Sequence, residues 1–286
     1  MNSDIDHIVL TRFNLPSSGS ESLVRAKEGW LRQRVELFER YCMPSVAAQG
    51  VKDFHWIIYF DPESPEWLMT RISEWCSDGA FTPIFRESVG HAELVGDLRA
   101  VSGARRPRLI TTNLDNDDGL ATDFIERLQK APVSSPRAAL YLSRGLIKRD
   151  GRVYLRTDRD NAFCSVAEDW TEPAGCWADW LNRLALQMPV IEIGGAPGWL
   201  QVIHGLNVSN RVRGRQVAPT DYRQLFGSSL DDVFAPNAGQ LAMDALWNAP
   251  HRIIKETGRA AVKRAVLRLA GEDGLDRLKA GLVVRR

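Results

Sequence analysis

The stretch LITTNLDNDDGL, residues 109–120, places Asp115, Asp117 and Asp118 together at the end of an apolar, β-branched run. Carboxylates this close repel one another, and each is better solvated alone. Capping the next helix would use one or two of them, so three at a strand end call for a further partner. A divalent cation held with a diphosphate is such a partner. Mg2+ or Mn2+ keeps several waters, takes one or two protein carboxylates and fills its remaining positions with phosphate oxygens. In extended chain, Asp-x-Asp puts Asp115 and Asp117 on one face and turns the residue between them away. A calcium loop counted from Asp115 fails, because Gly119 falls where a ligand is needed and Leu120 where the turn needs glycine.

The elements that must carry this turn follow from periodicity. Apolar runs at 7–14 (HIVLTRFN), 54–61 (FHWIIYFD), 82–88 and 107–114 predict strands. Between them, helical spacing over 30–49, 65–76, 92–103 and 121–130 predicts helices, the second opened by Pro65 and the third closed by Gly103. Strand and helix in alternation specify an α/β fold with a mostly parallel central sheet and flanking helices. Ligands bind such sheets beyond the carboxyl ends of the strands, where Asn14, Asp61 and the acidic turn all fall. The second half differs. RDGR marks a β-hairpin within 138–158, CWADWLNRLALQM (176–188) reads as helical, a strand in 197–211 leads to His204, and a helical C-terminal tail begins near 251. The expected division is therefore a main domain over 1–250 and a basic amphipathic tail over 251–286.

Composition bounds the function classes. The 286 residues carry 44% hydrophobic and 26% charged side chains and a formal net charge of +1, ordinary for a globular protein and no footprint of a nucleic-acid binder. Cys42, Cys76, Cys164 and Cys176 show no metal-finger spacing and read as reduced thiols. MNSDIDHIVL lacks the basic and long apolar regions of a signal peptide, and no run is long enough to span a membrane. The expectation is a cytoplasmic protein.

The segments TRFN, FHWIIYFD, TTNLDNDDGL, NAFCSVAED and VIHGLNVSNR, in this order over residues 5–215, resemble the bacterial rhamnosyltransferase family. MPSVAAQGVKDFHWIIYFDPES also resembles the large family 2 of GT-A glycosyltransferases. Asn113 and Ala162 stand where relatives carry arginine and proline. The resemblance implies a GT-A fold and transfer of a sugar from a nucleotide-diphosphate donor to a glycan or lipid-linked acceptor, with inversion and with Mn2+ or Mg2+ as cofactor. It also implies site roles. Asp61 would bind the base, Asp115 the ribose or a metal-bound water, Asp117 the metal, and His204 would complete the metal or diphosphate site. Arg12, Asn14, Asn116, Arg156 and Arg211 would complete the donor contacts. AED (167–169) would supply the catalytic base from Glu168 or Asp169, with Asp158, Asp160 and Asp179 as further carboxylates of the right type.

Guanidinium groups bind diphosphate oxygens in pairs, which adds Arg159 to Arg156 and Arg211 as candidates. Trp170, Trp177 and Trp180 offer faces for sugar stacking or simply pack. Two rivals remain. A sugar nucleotidyltransferase needs a glycine-rich basic loop after the first strand, where the chain reads TRFNLPSSGSES. A non-catalytic sugar-binding protein would not need the acidic turn. In the tail, Ile254, Ala261, Val262, Ala265 and Leu269 gather on one helical face with Arg252, Arg259, Lys263, Arg264 and Arg268 mainly elsewhere. That pattern suits either an anionic lipid surface or packing on the domain itself.

Overall fold

Alternate residues of Ile5–Arg12 (β1) point to opposite sides of a sheet, and both sides are apolar. Ile8 and Leu10 face one core and Val9 the other, all three fully buried. A strand buried on both faces needs cover on both. The computed structural model, which describes residues 4–16, 29–180, 183–205, 211–255 and 257, supplies it. Trp30–Leu37 (α1), Met43–Ala47 (α2) and Glu66–Trp75 (α3) cover the Val9 face, and His91–Ser102 (α4) covers the Ile8 face. Phe124–Gln129 (α5) returns to the Val9 side.

The remaining strands are His55–Phe60 (β2), Thr82–Phe85 (β3), Arg108–Asn113 (β4), Gly119–Leu120 (β5), Arg137–Leu142 (β6), Arg144–Arg149 (β7), Arg152–Thr157 (β8), Ser165–Asp169 (β9), Val190–Ile193 (β10), Trp199–Val202 (β11) and Arg215–Val217 (β12). The large sheet runs β10-β6-β9-β4-β1-β2-β3, parallel except for β9, which lies antiparallel to both β4 and β6. A second sheet, β12-β8-β7-β11-β5, rests beside it.

Four expectations are corrected by tertiary packing. The helix over 30–49 is interrupted by a π-helical turn at Phe38–Cys42, which buries Phe38, Tyr41 and Cys42 together. The β-run over 138–158 divides between the sheets, β6 joining the large one and β7–β8 forming the hairpin of the small one. The hairpin turn itself is as read, with Asp150 and Gly151 both at positive φ (49° and 67°). The helix expected over 176–188 is absent among its described residues, apart from one 3₁₀ turn at Leu184–Leu186. Its start is tied to the sheet instead, where Cys176 N–H donates to Thr111 Oγ1 and the Trp177 indole to Asn113 Oδ1. The C-terminal helix starts upstream of 251, at Ala238, and continues through a π turn at Asp244–Asn248 into 249–255. Residues 256 and 258–286, with most of the amphipathic face expected there, lie outside the described residues, as do 17–28 of the segment weighed as a triphosphate loop. All four cysteines are free, and no helix among the described residues is long and apolar enough to cross a membrane.

One buried polar chain crosses the large sheet. His7 Nε2 pairs with Thr112 Oγ1 (2.9 Å), which pairs with Ser165 Oγ (2.7 Å), and His7 Nδ1 has no hydrogen-bond partner among the described residues. Burial lowers the imidazole to about 3. The unfolded chain takes up a proton near pH 6.5 and the folded chain does not, so stability is lost as pH falls from there. Melting temperatures between pH 7 and 5 are expected to fall by the equivalent of up to ~1.4 kcal/mol per pH unit. The slope should flatten in His7→Gln, and an unchanged slope would remove His7 as its source.

Candidate active site

The parallel strands β1, β2 and β4 end on one edge of the large sheet, and their ends carry Arg12, Asn14, Asp61 and the acidic turn. Asn14 joins the first two ends: its Oδ1 accepts the Asp61 N–H and its Nδ2 donates to Ser64 Oγ, both at 3.0 Å. Asp61 Oδ1 in turn accepts Glu63 N–H. The Arg12 guanidinium lies 4.0 Å over the Trp177 ring, whose indole is held by Asn113. Asn113 therefore organises a tryptophan at this edge.

The three carboxylates have three different environments. Asp117 is buried, and its Oδ2 is shared by Arg34 (2.6 Å) and His204 Nε2 (2.8 Å). Burial opposes its ionisation, but the His204 hydrogen bond and the Arg34 charge outweigh it and hold the carboxyl below its usual range. Asp118 turns into the protein, where its Oδ1 accepts Val202 N–H at 2.8 Å. Burial, with Asp117 and Asp115 nearby, pushes it well up. Asp115 is exposed as a residue, yet its carboxyl turns back to within 3.4 Å of Asn113 Nδ2. Enclosure by the surrounding protein and the Asp117 charge raise it to about 6. Asn116 is a brace, taking Arg34 on its Oδ1 and donating to Phe13 O.

Arg34 is the residue that sequence reasoning missed. It projects from α1 in the same stripe as Trp30, Phe38 and Tyr41. A cation centred on an otherwise apolar face was the available signal.

The structure does not bring Glu168 and Asp169 to this edge. Strand β9 runs antiparallel, so its last residues pair with the first of β4, Glu168 with Leu109 and Asp169 with Arg108, at the opposite end of the sheet from Asp115. Glu168 is also fully occupied, by Arg137 Nε (2.6 Å) and the N–H groups of Ala174 (2.8 Å) and Gly175 (2.7 Å). It ties down the loop that delivers Trp177. Asp169 accepts Thr171 N–H, which lowers its carboxyl. Glu168→Gln is accordingly expected to cost roughly 2 kcal/mol of stability, seen as a lower Tm, with kcat unchanged well below that temperature. A hundredfold loss of kcat in the folded variant would return Glu168 to the chemistry.

The start of β9, in contrast, belongs to the site edge. Asn113 N–H donates to Cys164 O, Asn113 Nδ2 to Ala162 O, and Asn161 Nδ2 to both Leu142 O and Asp158 O. Asp158, at the end of β8, is placed by its own N–H on Ser143 O. Its carboxyl has Arg156 at 3.6 Å and Arg213 at 3.8 Å. Burial and the Asp160 charge still raise it. Asp160 is exposed, and Asp179 is engaged by Gln187 (2.7 Å). Arg159 pairs with Glu192 (3.1 Å), and Arg211 lies in the segment between β11 and β12. Trp177 stands at this edge, whereas Trp170 bonds Asp6 at the beginning of β1 and Trp180 is 75% exposed.

Among the described residues no three His, Cys, Asp or Glu side chains converge as a metal cage. Asp117 could supply one of the one or two carboxylates that a diphosphate-bound Mg2+ or Mn2+ takes from a protein, with His204 held beside it.

A mostly parallel sheet with one reversed strand, covered on both faces, is the fold that carries this edge, and the chain is a glycosyltransferase. Residues 6–216 match the family described as "Putative rhamnosyl transferase", and the chain belongs to it. No curated protein matches it significantly. Among solved structures it is similar to the S. aureus TarS fragment 1–349 in complex with UDP-GlcNAc, at 9% identity and TM-score 0.42, over 77% of this chain and 64% of that one. It is also similar to the inositol-1-phosphate CTP transferase of T. maritima, at 12% identity and TM-score 0.38, over 80% and 98% respectively.

Proposed function

We propose that the protein transfers a sugar, rhamnose by its family, from a nucleotide diphosphate to a hydroxyl of a glycan or lipid-linked acceptor, inverting the anomeric centre. The observation that carries this reading is Asp117, clasped between Arg34 and His204 at the strand-end edge. Asp61 and Asn14 stand where the base would lie, and Arg12 on Trp177 flanks the entrance. Asp117 and His204 would hold Mn2+ or Mg2+, which neutralises charge on the departing diphosphate. Arg34 adds fixed positive charge beside the same carboxylate, in a partly dry site where such charge is effective. Arg156 and Arg211 remain the donor contacts proposed from the second half of the chain.

The acceptor hydroxyl must lose its proton as it attacks, and Asp158 is the carboxylate best placed to take it. Its backbone N–H is held by Ser143 O, just past the end of β6, and β6 lies two strands from β4 in the sheet order, roughly 10 Å at the usual strand spacing. That gap leaves room for a sugar between base and diphosphate. Its raised affinity for protons suits a general base. One carboxylate acting on the acceptor gives a single in-line displacement and hence inversion.

A thermal-shift panel of nucleoside diphosphates and nucleotide sugars, with and without Mn2+, tests the reading. A ligand of the folded state at a hundred times its Kd adds ~2.7 kcal/mol of stability. One nucleotide is expected to raise Tm strongly, and more so with metal. If none does, the donor assignment falls.

A further inference from the structure

The helical segment 238–255 is fastened to the domain by charge and presents its hydrocarbon to solvent. On its inner side, buried Asp244 accepts Gln216 N–H (2.7 Å), and Arg252 reaches both Asp244 oxygens (2.8 and 2.7 Å). The same guanidinium donates to Gly214 O and lies 5.1 Å over the Tyr154 ring. The π turn at Asp244–Asn248 sets these two residues on a common side. On the outer side, Met243, Leu246, Trp247, Ile253 and Ile254 are 55–78% exposed, and nearby Phe234 is 74% exposed. An ordinary surface helix does the reverse, burying its apolar stripe and solvating its charges. A contiguous exposed stripe of this kind marks a contact surface.

We propose that this face lies in the headgroup region of an anionic lipid membrane. The stripe is a convex helix flank, not a groove, which suits a flat, deformable partner and an in-plane helix. Charge selects the lipid. From Lys255 to Gly271 the sequence holds Lys255, Arg259, Lys263, Arg264 and Arg268 against the single acidic Glu256. This run follows the stripe directly in the chain, and anionic headgroups neutralise such charge. Trp247 adds a side chain favoured at that depth. The inference goes beyond the proposed transfer reaction and does not depend on it, because neither the stripe nor its clamp includes a residue of the acidic turn. It also has a geometric consequence. The clamp grips residues 214–216, directly after Arg213, whose guanidinium lies 3.8 Å from Asp158. A membrane under the helix would therefore be coupled to the acceptor side of the site.

Flotation of the full chain decides the matter, using vesicles of phosphatidylcholine alone and of phosphatidylcholine with phosphatidylglycerol, at low and physiological salt. The chain is expected to float with the mixed vesicles and not with the neutral ones. The triple variant Leu246→Glu, Trp247→Glu, Ile254→Glu should lose at least tenfold in bound fraction while keeping its Tm and any nucleotide-induced rise in Tm. Failure of the wild type to bind mixed vesicles at low salt overturns the proposal. So does a triple variant that binds as well as wild type, which would leave binding to the basic run alone. Sedimentation velocity gives the third outcome. A dimer abolished by the triple variant, without vesicle binding, makes the face a contact between copies. If instead nucleotides leave Tm unchanged while the vesicles bind, the donor reading fails and the lipid reading stands.

Discussion

Asp117→Ala is expected to abolish turnover, a fall on the order of 10³-fold or more, since the variant loses both the proposed cation ligand and the anchor of Arg34 and His204. Donor affinity should weaken too, because the lost interactions involve the diphosphate in the ground state as well as the transition state. The fold should survive. Arg34 keeps Asn116 as a partner at 3.0 Å, and Asp115 and Asp118 are relieved of their nearest like charge. Calorimetric titration of the preferred nucleotide with Mn2+, beside kcat and Tm, separates these effects. Near-normal turnover at saturating metal would remove Asp117 from the site.

Asp158→Asn should be nearly as damaging to kcat, by ~10²–10⁴-fold for loss of a general base, but it should leave donor affinity almost unchanged. The acid limb of the wild-type pH profile gives an independent check. The base must be ionised to accept a proton, and burial raises Asp158 above the ordinary aspartate range. The rate should thus begin to fall at a higher pH than an exposed carboxylate would allow, and that limb should vanish in the variant. Asp160→Asn, on the same turn but exposed, serves as the control and should change kcat little. Equal losses at both positions would mean that the turn matters only as a whole.

The first half of the fold was legible because its central strands β1, β2 and β4 are largely buried on both faces and the connections between strands carry helices, so direction and edge follow from alternation alone. Asn14, Asp61 and the acidic turn were placed on a common edge by that logic, and they share it. The second half was not legible for a specific reason. No local pattern records that β9 runs backwards, and a reversed strand sends its last residues, Glu168 and Asp169, to the far edge while its entry at Asn161–Cys164 meets the site. The second sheet was hidden in the same way. β6 and β7 are separated by Ser143 alone, yet they belong to different sheets. Gly145 permits the junction: a Cβ there would come within 2.0 Å of the Trp199 ring, whose indole donates to Leu142 O. Arg34 carried a signal in its apolar surroundings, but its partner lies far along the chain.

That separation has a consequence for synthesis. The acidic turn leaves the ribosome well before the residues that satisfy it, since Val202 follows Asp118 by 84 positions and His204 follows Asp117 by 87. Until those arrive, a nascent chain carries the turn with Arg34 and Arg12 to balance it, and such distant pairings form late. The reversed strand and the segment bearing Asp158 are already made by then, so closure of β11 onto β5 is the event that gives Asp118 its Val202 partner. The helix of residues 238–255 emerges later still. The residues of the proposed donor site are therefore all made before the stripe proposed to meet lipid.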